Sequence, residues 1–200
     1  MIEFTLFAQP WWVNILFAIP FVAYGAWRKK GIAVSKQTLL FAALFAVAFG
    51  FVEASVVVYL RAAVGLLPGY GGTLEDVAKL SADIYQQAKV LGELPRSLLV
   101  VEVFRETATM VMLASIAFLA AKSLRERVAI FLWAFAIWDI FYYIGLWATV
   151  GWPSSLFTPD VLFLIPIPWF SQVWFPLLVS GLSALAVASA RKGDTDSERA

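Results

Sequence analysis

The sequence predicts an all-α integral membrane protein with five transmembrane helices. The composition is 62% hydrophobic, 14% of the residues are charged, and the apolar residues occur in long runs. A soluble domain is nearer one-half apolar and one-quarter charged. Alternation of apolar and polar residues at period two is missing from these runs, so we expect helices rather than the strands of a barrel.

Five stretches have the length of a membrane span, because a bilayer core of about 30 Å needs roughly 20 apolar residues in a helix. They cover residues 10–27, 38–60, 98–121, 128–150 and 169–190. In the first stretch the basic residues follow the apolar run, which is the reverse of a signal peptide, so we expect a retained helix. Residues 1–192 should form a single membrane domain, and residues 193–200 a mobile cytoplasmic tail.

Two connections on the outer side are long enough to have structure of their own. Residues 73–91 have an amphipathic pattern, and Thr73 with Asp76 has the spacing of a capping box. We therefore expect an amphipathic helix on the outer membrane surface. Residues 158–168 begin with a Thr-Pro-Asp sequence that is typical of a helix start, but their apolar part is too short to span. A short interfacial or re-entrant helix is expected there, with a plain loop as the alternative.

The basic residues predict the orientation, since cytoplasmic segments are enriched in Lys and Arg. With the amino terminus outside, the inner segments contain ten bases: Arg28, Lys29, Lys30, Lys36, Lys122, Arg125, Arg127, Arg191, Lys192 and Arg199. The outer segments contain four, namely Arg61, Lys79, Lys89 and Arg96. We therefore expect a multi-pass protein of the cell membrane, typical of a prokaryotic inner membrane. Its amino terminus should be outside and its carboxyl terminus inside.

Charged side chains within the expected spans indicate where a site could form. They are Glu53, Glu102, Arg105, Glu106 and Asp139. Asp or Arg at the centre of a membrane helix costs roughly 2.5–3.5 kcal/mol on insertion scales, so such residues usually face the bundle interior. With a rise of about 1.5 Å per residue, the acids of three helices reach similar depths, in the outer half of the bilayer or near its midplane. We therefore expect one shared acidic site.

The candidate site residues fall into two groups. The candidate catalytic residues, which would act as acid/base groups or as ligands of a hard cation, are Glu53, Glu102, Glu106 and Asp139. The candidate substrate-binding residues are Arg105, Tyr142, Tyr143 and Asp160. A guanidinium suits a lipid phosphate or a quinone oxygen, and a Tyr hydroxyl can assist it.

The net negative charge of this group needs compensation in a low-dielectric bundle. Three solutions are open. Some carboxylates are protonated, or a cation is bound, or Arg61 and Arg96 turn inward and complete an ion-pair network. The first two solutions indicate function, whereas the third is structural.

The residue types exclude several kinds of site. The chain has no His and no Cys, so His- or Cys-ligated haem, zinc and iron–sulfur clusters are not expected. No Lys lies well inside a span, which excludes a retinal Schiff base. The net charge of +1 is too small for a nucleic-acid partner. Any other cofactor stays open.

Three functions remain. The favoured one is a membrane enzyme or binding protein that acts on an amphiphilic ligand, lipid- or quinone-like, or on a cation. The second is a non-catalytic accessory or assembly subunit of a larger membrane complex. The third is a small proton or cation carrier, which is less favoured because no convincing inverted repeat is present. The expected partners are membrane lipid, a hydrophobic ligand or divalent cation, and partner subunits or a second copy.

Overall fold

The computed structural model describes residues 7–63, 73 and 96–191, with the backbone alone at 60–63 and 96–98. A 3₁₀ helix at Trp11–Ala18 continues into α1 (Ile19–Trp27). The longer helices that follow are α2 (Lys36–Ala63), α3 (Arg96–Ala120), α4 (Leu124–Val150) and α5 (Trp174–Ala190). Strands β1 (Pro159–Phe163) and β2 (Trp169–Gln172) pair antiparallel between α4 and α5. The described chain is mostly helical, as the sequence predicts.

Three helices of the described part are long and apolar enough to cross a membrane. They are Lys36–Tyr59, Leu99–Ala120 and Leu124–Val150. The apolar helices Trp11–Trp27 and Trp174–Ala190 are shorter. The sequence therefore predicts a membrane protein correctly, but the structure supports three of the five expected spans. The last helix is shorter than expected because residues 169–172 pair with β1 instead of extending α5.

The prediction of an interfacial or re-entrant helix at residues 158–168 is wrong, because this segment forms the first strand and the turn of a β-hairpin. Pro159 pairs with Gln172, and the next residue of β1 pairs with Ser171. Prolines at 166 and 168 occupy the turn, where their missing N–H groups and fixed φ disfavour a helix. Of the expected surface helix at 73–91 the structure describes Thr73 alone, and the expected tail at 193–200 lies outside the described residues.

Helices α2 and α4 approach most closely at two glycines. A Cβ atom at Gly50 would lie 2.7 Å from the carbonyl oxygen of Trp138 and 3.0 Å from the backbone nitrogen of Tyr142. On the facing helix, a Cβ atom at Gly145 would lie 3.0 Å from the Cβ atom of Ala54. Small residues at a helix interface allow two backbones to come into contact. This contact fixes the rotation of α2 against α4.

Helix α5 closes the bundle against α1 and α4. Trp27, Ile32, Ile130 and Val187 are buried together in one apolar cluster. The backbone N–H of Ile32 donates to the carbonyl oxygen of Ala190 at 2.9 Å, which ties the end of α5 to the connection between α1 and α2. The bundle therefore has an apolar end, and its polar side chains gather further along α2 to α5.

Replacing Gly50 by Ala should destabilise the protein by about 1–3 kcal/mol, because the new methyl group meets backbone atoms that cannot move independently. The matched control is Gly25→Ala in α1, where a Cβ atom meets nothing within 4 Å. This control should be neutral or stabilising by about 0.4–1 kcal/mol. Unfolding titrations with sodium dodecyl sulfate in mixed micelles measure both changes. Equal stability of the two variants would contradict the close approach.

Candidate functional site

Helices α2 to α5, the hairpin and the 3₁₀ helix line a partly open cavity of about 200 Å³. Its wall contains all eight residues that the sequence singles out: Glu53, Glu102, Arg105, Glu106, Asp139, Tyr142, Tyr143 and Asp160. The structure therefore brings the acids of three helices, and one acid of β1, to the same place. Their chemical roles stay predictions.

One face of α3 supplies the polar side of the cavity. Glu102, Arg105, Glu106 and Thr109 have the spacing i, i+3, i+4 and i+7, which places them on one side of a helix. Glu102, Glu106 and Thr109 are buried, whereas Arg105 is partly exposed. Burial of these residues inside an otherwise apolar helix requires partners on neighbouring elements.

Arg105 joins α3 to α2. Its Nη1 donates to Oε2 of Glu53, and its Nε donates to Oε2 of Glu102 at 2.8 Å. The other carboxylate oxygen of Glu53 accepts a hydrogen bond from the hydroxyl of Thr109. Both oxygens of Glu53 are therefore occupied, and one guanidinium bonds two carboxylates, whose combined charge when ionised exceeds its own.

Glu106 joins α3 to the hairpin. Its two carboxylate oxygens lie 2.9 and 3.1 Å from the backbone nitrogen of Leu164, which donates to them just after β1 ends. Arg105 pairs with Glu102 on its own helix and reaches across to Glu53 on α2, while Glu106 bonds the hairpin.

Helix α4 contributes a carboxylate and a tyrosine with their own partners. The hydroxyl of Ser180 in α5 donates to Oδ2 of Asp139 at 2.8 Å, and both residues are buried. The hydroxyl of Tyr143 donates to Oδ2 of Asp160 in β1 at 2.9 Å. These two bonds fix α5 and the hairpin against α4.

Aromatic rings form much of the remaining wall. Trp138 and Tyr142 are stacked, with ring centroids 6.3 Å apart and an interplanar angle of 22°. The ring centroids of Phe135 and Trp138 are 5.4 Å apart. On the hairpin, the ring centroids of Phe163 and Trp169 are 5.5 Å apart. The cavity therefore combines carboxylates with aromatic faces.

The geometry favours hydrogen bonding and proton transfer over metal coordination. Within residues 7–63, 73 and 96–191, no three acids lie close enough together to hold a metal ion. Glu53, Glu102, Glu106 and Asp139 each accept a hydrogen bond from a protein donor instead. The alternative that these four acids coordinate a divalent cation therefore finds no support in their arrangement.

Some partners of the acids differ from, or were missing in, the expectations from the sequence. The structure gives the backbone alone at Arg61 and Arg96, so their expected inward turn lies outside the described side chains. Sequence reasoning missed Ser180 and the Leu164 amide as partners of the acids. A Ser within an apolar span is a signal for Ser180, since such hydroxyls often bond across helices. The Leu164 amide gives no signal in the sequence.

Comparison with protein-family models, with curated proteins and with solved structures gives no match to this chain. The fold and the site together define a class: a helical membrane protein with an acidic and aromatic cavity between its helices and a β-hairpin. The function has to be inferred from the chemistry of that cavity.

The Arg105–Glu53 ion pair should show a coupling free energy of about 1–3 kcal/mol in a double-mutant cycle with Arg105→Gln and Glu53→Gln. Loss of one partner leaves the other buried without its counter-charge, whereas loss of both removes the imbalance. The control cycle combines Arg105→Gln with Glu126→Gln, which lies at the start of α4 and should be additive within about 0.5 kcal/mol. Free energies of unfolding measure both cycles, and additivity in the first would show that the pair contributes nothing.

Proposed function

We propose that the protein binds an amphiphilic ligand, lipid- or quinone-like, in the cavity between its helices and the hairpin. The observation that carries this proposal is the composition of the wall, where charged groups lie beside aromatic and aliphatic side chains. Ligand sites combine an apolar lining with a few convergent polar groups. The carboxylates and Arg105 suit a polar head, while Val57 and Val179 suit the first carbons of a chain.

Five membrane crossings, rather than three, are part of this proposal. The 3₁₀ helix rises about 2.0 Å per residue and an α-helix about 1.5 Å. The helix Trp11–Trp27 therefore spans about 30 Å, which equals the thickness of the hydrocarbon core. Helix α5 has 17 residues, the lower limit of observed spans. Large apolar side chains are exposed on all five α-helices, for example Phe21, Phe41, Phe104, Leu119, Trp147 and Leu185, as lipid contact requires.

The orientation follows from the distribution of the bases. With the amino terminus outside the cell membrane, the inner segments carry ten Lys or Arg residues and the outer segments four. The hairpin and the acidic cavity then lie towards the outer face, where a lipid or quinone of the outer leaflet reaches them. The carboxyl terminus is cytoplasmic in this arrangement.

Labelling of single cysteines in intact cells should show Ser154→Cys accessible from outside, and Lys30→Cys and Lys122→Cys accessible only after permeabilisation. The chain contains no cysteine, so each variant has one reactive thiol. All three positions are exposed and lie in connections between helices. A membrane-impermeant maleimide measures the accessibility. Labelling of Ser154→Cys and Lys122→Cys from the same side would overturn the crossing of α4, which lies between them, and with it the proposed orientation.

If the bound amphiphile reacts at this site, Asp139 is the best-placed acid/base group. Its hydrogen bond from Ser180 joins a carboxylate and a hydroxyl that both line the cavity, a geometry suited to proton transfer. Glu53 is already bonded on both oxygens. Glu106 is bonded to the hairpin and suits a positioning role.

A role as a non-catalytic accessory subunit is the second candidate. One observation favours it: each of the four acids on the helices accepts a hydrogen bond from the protein itself. Such a network also stabilises a bundle that binds nothing. The two candidates differ in whether the cavity takes a ligand.

Filling the cavity should weaken ligand binding. Val179→Trp places an indole in the cavity wall, whereas Leu178→Trp places it on the exposed side of the same helix. We expect saturable binding of at least one labelled amphiphile, tested with decylubiquinone, N-dodecylethanolamine and 2-(dodecyloxy)ethanol, to the parent and to Leu178→Trp in nanodiscs. Val179→Trp should bind about tenfold more weakly, equivalent to about 1.4 kcal/mol.

Scintillation proximity, with empty nanodiscs subtracted, measures this binding. Absence of saturable binding of all three probes to a folded parent would favour the accessory-subunit role. Equal binding to both Trp variants would place the binding site elsewhere.

A further inference from the structure

We propose that the ligand carries an ammonium group with a hydrogen-bond acceptor beside it, the chemistry of an ethanolamine or long-chain amino-alcohol head. This inference rests on the amphiphile-binding function proposed above and names the polar end of the ligand. Three features of the cavity carry it: the charge balance, the aromatic faces and two indole N–H groups.

The excess of carboxylates in the cavity wall favours a ligand with a cationic head. Among the described residues, five carboxylates and one guanidinium line the cavity. Arg105 is bonded to two of the carboxylates, Glu53 and Glu102. The hydrogen bonds to Asp139 and Glu106 come from a neutral hydroxyl and a neutral backbone amide. Buried carboxylates with neutral donors are either protonated or paired with a cation. The proposal takes the second solution, in which a cationic head is favoured and an anionic head is repelled.

The shape of the site favours an organic cation over a metal ion. A metal ion needs several oxygen ligands converging on one point, and the described acids do not provide three. An ammonium group needs one or two carboxylates and is also attracted by the face of an aromatic ring. Trp138 stacks with Tyr142. Both rings and the carboxylate of Asp139 line the cavity, so aromatic faces and a carboxylate belong to the same wall.

Two indole N–H groups without an acceptor favour a ligand that carries a hydrogen-bond acceptor. Trp138 lines the cavity and is 7% exposed, and its indole nitrogen has no hydrogen-bond acceptor within the part of the chain that the structure describes. The same holds for the indole nitrogen of Trp169, on the hairpin side of the cavity. A buried donor without an acceptor costs roughly 1–3 kcal/mol. Both nitrogens are inaccessible from the empty cavity, so an oxygen beside the ammonium group would satisfy one of these donors after a shift of the indole ring.

The size of the cavity agrees with a head group. A volume of about 200 Å³ takes a small polar head and the first methylenes of a chain, but no complete lipid. Leu16, Val57 and Val179 provide apolar contacts for those methylenes. The ligand would therefore insert its head between Asp139 and the aromatic rings, with its chain directed out of the cavity.

Three probes of equal length test this proposal on the full-length protein in nanodiscs of phosphatidylglycerol. N-dodecylethanolamine has both the ammonium and the hydroxyl group, 2-(dodecyloxy)ethanol lacks the charge, and N-propyldodecylamine lacks the hydroxyl. We expect N-dodecylethanolamine to bind at least tenfold more tightly than the neutral ether, equivalent to about 1.4 kcal/mol. It should bind about fivefold more tightly than the amine without a hydroxyl, the size of one hydrogen bond.

Two variants with matched controls locate the effect. Asp139→Asn should remove most of the preference for the ammonium, whereas Glu126→Gln, at the other end of α4, should keep it. Trp138→Phe should remove the preference for the hydroxyl, whereas Trp147→Phe, whose ring is exposed on the same helix, should keep it. Circular dichroism and monodisperse elution confirm that each variant is folded. The variants are needed because phosphatidylglycerol concentrates a cationic probe at the bilayer surface whether or not the protein binds it.

The outcomes separate this inference from the function on which it rests. Equal affinities for the charged and neutral probes would overturn the ammonium head while leaving amphiphile binding intact. Retention of both preferences in folded Asp139→Asn and Trp138→Phe would also overturn it. Where the preferences appear, added phosphatidylethanolamine distinguishes the source: competition supports a lipid head group, and undiminished probe binding supports a free amino alcohol.

Discussion

The contact between α2 and α4 at Gly50 is the constraint on which the other features depend. The Cα atom of Gly50 faces the backbone of α4 so closely that no side chain fits between them. One turn further along α2, Glu53 is thereby held at the level of Trp138 and Asp139 on α4. A small change in the rotation or distance of these two helices would separate the acid of α2 from the acids and rings of α4. The apolar packing of the bundle thus determines where its charges meet.

Polar interactions then attach the remaining elements to that helix pair. Arg105 brings α3 to Glu53, Asp139 holds α5 through Ser180, and the hairpin is fixed by Glu106 and Tyr143. In a membrane, apolar association between helices is weak because the surrounding lipid is equally apolar. Hydrogen bonds and ion pairs therefore help to determine which elements join the packed α2–α4 pair. The same side chains form the wall of the cavity, so folding and the candidate site draw on the same interactions.

The sequence predicted the helices and the meeting of the acids because both depend on one-dimensional patterns. Hydropathy locates an apolar helix, and the rise per residue gives the depth of Glu53, Glu106 and Asp139 along their helices. The hairpin could not be found in this way, because strand pairing joins residues 159–163 to 169–172 through a turn whose prolines resemble a helix boundary. The choice of Glu53 rather than Glu106 as partner of Arg105 depends on the rotation of α3 against α2. That rotation follows from packing and leaves no periodic signal in the sequence.

The hydrogen bonds in the cavity differ in how readily a ligand could replace them. The guanidinium of Arg105 carries a full charge and bonds two carboxylates, so a ligand that displaced it would leave a buried cation and two buried anions unpaired. The bonds to Asp139 and Glu106 come from neutral donors, and each carboxylate has lone pairs beyond those the donor uses. A ligand can therefore bond these acids while the ion-pair network around Arg105 stays intact. This division gives the bundle a fixed part that holds α2 and α3 together and an adaptable part that faces the cavity.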